Sequence, residues 1–126
     1  MQTITIQKRE IPLRFDMTAY EMIEARGEGY ADMLDALGAK KTRSRTLCEL
    51  IAIFGNAALI AQGREPDLTH DWVASNMSPR QRGEADRAVG AAIREGMRME
   101  EDEADEADEA PQDVVLEELE AKKNGA

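Results

Sequence analysis

The chain has 126 residues, the length of about one domain, and its 16 basic and 26 acidic side chains give a net charge of −10. Residues 1–99 hold 14 charges of each sign, whereas residues 100–126 hold 12 acids against Lys122 and Lys123, so the whole imbalance lies in the final stretch. This argues against tight nonspecific nucleic-acid binding, which needs a cationic surface. The lone Cys48 excludes an intrachain disulfide and a multi-thiolate zinc site. No unbroken run of 18 apolar residues is present to span a membrane. The segment Met1-Gln2-Thr3-Ile4-Thr5 lacks the basic-then-apolar layout of a secretory signal. The expectation is a cytoplasmic protein that uses no cofactor.

Ile4 and Ile6 alternate with Thr3, Thr5 and Gln7, and Ile11 and Leu13 flank Pro12. Period two places alternate side chains on one face, which predicts one or two short strands over 3–13. Pro12 suits an edge or a strand end because it cannot donate to a ladder.

Asp16 is placed as an N-cap. Phe15 before it and Tyr20 after it have the spacing of a hydrophobic staple. A helix over 17–26 follows, ending at Gly27. Tyr30, Met33, Leu34 and Leu37 repeat at helical spacing and predict a second short helix closed by Gly38.

Leu47, Leu50, Ile51, Phe54, Ala57, Ala58 and Ala61 form the strongest helical stripe, widened by Ile53, Leu59 and Ile60. A helix apolar on most sides is central to its fold. Gly63 and Pro66 end it. Thr69 caps a fourth helix that carries Trp72 and Val73 and stops near Asn76. Ser78-Pro79-Arg80-Gln81 is a capping box with proline at the first helical position. It opens a fifth helix to about Arg98, with Ala85, Val89, Ala92, Ile93 and Met97 inward.

Eight of the ten residues 100–109 are acidic, and Ala-Asp-Glu occurs twice. Like charges repel and little apolar area offsets chain entropy, so a disordered linker is expected over 100–112. Asp113 can cap a short amphipathic segment within 113–126 that carries Val115, Leu116 and Leu119; so short a helix is marginal alone. The expected organisation is thus mostly α: a body over 1–99 of about five helices with a short N-terminal β element, then the acidic tail.

Chemistry-bearing residues are few. Cys48 lies beside the apolar stripe and reads as a buried, inert thiol, since no histidine is near it in sequence. His70 opens the Trp72 helix and reads as a surface side chain. Trp72 reads as the anchor of its helix to the core, with an interface hot spot as the sharper alternative. Lys40, Lys41, Arg43 and Arg45 cluster between the second and third helices. Positive charge is favourable after the first of these and unfavourable at the start of the next, so the cluster is frustrated unless an anion visits. A solvated loop competes there with docking of an acidic segment, either this chain's own tail or another protein's.

Arg80, Arg87 and Arg94 recur every seven residues and share a helix face. With the Trp72 helix and the Ser78 turn they imitate a helix-turn-helix, so the alternative reading is a small DNA-binding regulator using residues 69–98. Glu84 stands at pairing distance from both Arg80 and Arg87, which favours a self-paired, solvated face. The acidic run lacks the order and turn glycine of a calcium loop, and no phosphate loop or dinucleotide fingerprint is present.

The segment Ile11-Pro12-Leu13-Arg14-Phe15-Asp16-Met17 resembles the tail assembly chaperones of long-tailed bacteriophages and prophages. The resemblance continues through Leu47–Ala61 with its Gly55-Asn56-Ala57, Leu68-Thr69-His70-Asp71-Trp72, Ser78-Pro79-Arg80-Gln81, and Ala88-Val89 through Gly96-Met97. It covers most of residues 4–99 and leaves out the acidic tail. It implies a non-enzymatic assembly factor that binds the helical tape measure protein, keeps it soluble and helps tail-tube subunits polymerise around it. Self-association is compatible with that role. It also implies a longer form made by ribosomal frameshifting, for which Lys122-Lys123-Asn124 can be encoded on a slippery heptanucleotide; an AAG codon at either lysine would refute that.

Overall fold

The structure is a computed structural model that describes residues 2–27 and 29–103. Its elements are β1 (Gln2–Ile6), β2 (Arg9–Leu13), α1 (Met17–Ala25), α2 (Tyr30–Gly38), α3 (Arg43–Ala61), α4 (His70–Asn76), a 3-10 turn at Pro79–Gln81 and α5 (Arg82–Glu103). The fold is mostly α with a short β element ahead of five helices, as expected. The expectations for Val115, Leu116 and Leu119 and for residues 104–126 as a whole lie outside the described residues.

β1 and β2 pair antiparallel, Ile4 opposite Ile11 and Ile6 opposite Arg9. The alternation buries Ile4, Ile6, Ile11 and Leu13 on one face. Between the strands Gln7 and Lys8 both take positive φ, 50° and 67°, the backbone of a two-residue type I′ turn. β2 is tied to α3 where the Arg14 amide donates to the Phe54 carbonyl at 3.1 Å.

Asp16 caps α1 by accepting from the Ala19 amide at 3.0 Å. Arg14 holds the second carboxylate oxygen at 2.7 Å. The staple is in place, with the Phe15 and Tyr20 rings 6.4 Å apart. Phe15 also stacks on Tyr30 at 5.5 Å and meets Phe54 at 5.3 Å, joining α1, α2 and α3 through one aromatic cluster. Gly27, at φ 87°, closes α1. α2 closes differently from the expectation of a glycine stop: its last carbonyls accept from side chains that follow. Thr42 Oγ1 donates to Ala36 at 2.6 Å, and Arg43 donates to Leu37 and Gly38 at 3.2 and 3.1 Å.

α3 is the spindle of the fold; β2, α1, α2, α4 and α5 all pack on it. It starts at Arg43, ahead of the apolar stripe. By length and composition it could cross a membrane, although polar residues interrupt its apolar stretch. Here 72% of that stretch is buried inside the protein, as befits a core helix. One carboxylate goes in with it: Glu49, 9% exposed, is held by Arg26 at 2.8 Å and by Arg45 at 3.4 Å. The helix ends in a Schellman motif, with the Arg64 amide donating to Leu59, the Gly63 amide to Ile60, and Gly63 at φ 74°.

Thr69 caps α4 through the Trp72 amide at 3.0 Å. The Ser78–Gln81 capping box forms as expected, but its first turn is 3-10 before α5 begins. α5 buries Ala85, Ala88, Val89 and Ala92, with Ile93 and Met97 packed partly against the core. It continues through Glu103, four residues into the run read as disordered from residue 100. Once a helix is nucleated each further residue adds a hydrogen bond, and glutamate is a good helix former.

Candidate functional site

A groove of about 660 Å³ lies between the start of α3, α4, the 3-10 turn and the start of α5. Cys48, Ala74, Met77 and Pro79 give it an apolar lining, and Arg45 and Arg82 bring two guanidinium groups to it. Among the described residues no carboxylate lines it. Arg82 is exposed and has no ion-pair partner among the described residues. Arg45 is 74% exposed at the side chain and reaches Glu49 only at 3.4 Å, so both cations remain open to an anionic visitor.

The groove unites two residues that sequence distance separates, for His70 lines it with Cys48. They do not form a nucleophile and base. Among the described residues no hydrogen bond joins them, and the His70 Nδ1 faces the Asp71 carboxylate at 3.0 Å. Burial pushes the Cys48 thiol up, and the neighbouring Glu49 charge pushes it further. Both effects disfavour the thiolate, which is the reactive form. The expectation of a buried cysteine holds, at 7% exposure.

The four cations between α2 and α3 have separate fates. Lys40 and Lys41 are exposed and stand outside the groove lining. Arg43 is committed to the carbonyls of α2, which relieves within the chain the frustration expected of it at a helix start. Arg45 alone reaches the groove. Trp72 is partly buried against the core and does not line the groove. The Arg9 guanidinium covers its ring at 5.4 Å. That same arginine bonds Asp67 at 2.7 Å and holds its carboxyl below the ordinary range. Trp72 thus fastens α4 to the hairpin and the preceding loop, in line with the anchor reading.

The face of α5 that carries Arg87 and Arg94 differs from the expected self-paired one. Among the described residues neither they nor Arg80 have a carboxylate within 4.0 Å, Glu84 included. Their guanidinium groups fold back along the helix, Arg87 over Gly83 and Arg94 over Gly90. α4 takes α3 as its principal partner, and α5 packs on β1 and α3. The two helices of the imagined helix-turn-helix are therefore held by a third rather than by each other.

Ala74, Met77 and Arg82 are groove residues that the sequence reading does not single out. One signal for them was present. Met77 stands just before the Ser78 cap, where an apolar residue ordinarily meets an apolar partner four positions past the cap; that partner position is Arg82. An apolar residue without its staple is free to line a groove.

No protein-family model matches the chain, no curated protein matches it, and no solved structure matches its fold.

Proposed function

We propose that the chain is a tail assembly chaperone of a long-tailed bacteriophage or prophage, acting in the bacterial cytoplasm without catalysis. Its client is the tape measure protein, a long helical chain that must stay soluble until tail-tube subunits enclose it. The observation that carries the reading is the groove: an apolar lining from α3, α4 and the 3-10 turn, flanked by Arg45 and Arg82. An amphipathic helix lays its apolar face into such a groove, and its flanking acids meet the two guanidinium groups. The order of short motifs over residues 4–99 supports the same reading. Co-expression with the tape measure protein tests it. The client should remain soluble and co-purify with this chain, and Met77→Asp, which puts a charge in the groove lining, should release it. Equal client solubility with and without the chain would refute the proposal.

One observation favours a second reading, a DNA-binding regulator using residues 69–98: the exposed arginines Arg80, Arg82, Arg87 and Arg94 lack carboxylate partners among the described residues. Duplex DNA binding that weakens steeply with salt would support it. The neutral body and the packing of α4 on α3 weigh against it.

A further inference from the structure

We infer that the groove is occupied, when no client is present, by this chain's own segment 113–120, Asp113-Val114-Val115-Leu116-Glu117-Glu118-Leu119-Glu120. The composition of the two partners is complementary. The segment alternates an apolar set, Val115, Leu116 and Leu119, with four carboxylates. The groove presents an apolar lining through Met77 and Cys48 and two guanidinium groups, with no carboxylate among its described lining residues. Apolar contact supplies attraction, and the arginines select an acidic occupant over a neutral one.

The length of chain is sufficient. α5 begins beside the groove at Arg82 and carries the chain away over 21 residue steps to Glu103, a distance of about 32 Å at the α-helical rise. The 11 steps from Glu103 to Val114 reach about 36 Å or slightly more when extended. A return along α5 brings the segment back to Arg82 with little slack. Reaching that far leaves the linker nearly fully extended, so the tether adds little effective concentration, and the apolar and ionic contacts themselves hold the segment. Binding of a client at the same place requires the segment to leave, and this last step alone rests on the function proposed above.

Cys48 is the chain's only thiol and lines the groove; it reacts slowly even with the groove open, because it is buried and its thiolate is disfavoured, so occupancy is read from the change in its rate between variants. The test uses the full chain and an uncharged reagent, methyl methanethiosulfonate. The double substitution Leu116→Asn/Leu119→Asn, outside the described fold, should accelerate thiol modification about fivefold or more, as expected for a site that is otherwise mostly closed. Arg82→Glu should accelerate it as well, and the two changes combined should add little to either alone. Backbone amide signals of Ala74 and Gly83 should shift with the leucine changes. The parent rate should not change on dilution. An unaltered rate and unaltered amide signals in the leucine variant would overturn the inference. A parent rate that rises on dilution would overturn it too, by assigning the occupancy to a second copy. Client co-purification is a separate measurement, so loss of thiol protection leaves the chaperone proposal standing, and the converse holds.

Discussion

Asn56 and Leu68 exchange two hydrogen bonds, the Leu68 amide donating to Asn56 Oδ1 at 2.9 Å and Asn56 Nδ2 donating to the Leu68 carbonyl at 2.8 Å. One side chain of α3 thereby satisfies both backbone groups of a buried residue in the loop that leads to α4. Asn56→Ala leaves both without partners and should lower unfolding free energy by about 2 kcal/mol or more, read by urea denaturation. Asn56→Asp keeps the acceptor and loses the donor when ionised, so its deficit should shrink at acid pH, where the protonated acid donates again. A deficit that ignores pH would contradict the geometry.

Two glycines of α5 should respond oppositely to the same change. A Cβ at Gly96 falls on the Phe15 carbonyl oxygen and 2.8 Å from Phe15 Cδ2. Backbone cannot yield as a side-chain end does, so Gly96→Ala should destabilise by about 1–3 kcal/mol despite its better helix propensity. At Gly90 the nearest atom is the tip of Arg94, at 3.5 Å, and Gly90→Ala should raise stability by about 0.5–1 kcal/mol. Melting temperatures of the two variants should move in opposite directions.

The hairpin turn is built from residues that resist it. Lys8 at φ 67° sits in the left-handed region that glycine enters without steric cost. Lys8→Gly should stabilise the fold by about 1 kcal/mol. The gain should appear in chemical denaturation with an unchanged denaturant slope.

Tyr30 gives the fold an alkaline limit. Burial, with a smaller contribution from Tyr20, pushes its hydroxyl from 10.0 up to about 12. Between those values the unfolded chain has released a proton that the folded chain still holds, so stability falls as pH rises through that window and is unaffected by this group below it. Tyr30→Phe should remove the fall. Phenolate absorbance of the parent should show one tyrosine titrating late.

Local chemistry made the elements legible. The Phe15–Tyr20 staple around Asp16, the Thr69 cap, the Ser78–Gln81 box and the α3 stripe are each set by residues within a few positions of one another, and each was realised. What escaped depends on distant partners. Arg43 looks misplaced at a helix start until the carbonyls of α2 are seen above it. Glu49 goes unremarked in an apolar stripe, because only the fold brings Arg26 to it. The groove draws Cys48 from α3, His70 from α4, Met77 from the link after α4 and Arg82 from α5, and no spacing rule connects them. The pairing expected of Glu84 failed for a related reason: helical reach permits the contact, while the arginine side chains lie along the glycine face instead.

Gln2 on β1 donates to Glu95 on α5 at 2.9 Å across 93 sequence positions, and Gln81 donates to the Thr5 carbonyl at 2.8 Å. In translation this makes β1 and β2 wait for α5. Ile4 and Ile6 leave the ribosome early and stay without α5 for about 5 to 20 seconds at ordinary elongation speeds. The nascent hairpin spends that interval with a greasy face uncovered, so the growing chain passes through a stage in which it needs shelter that its own later helix has yet to provide.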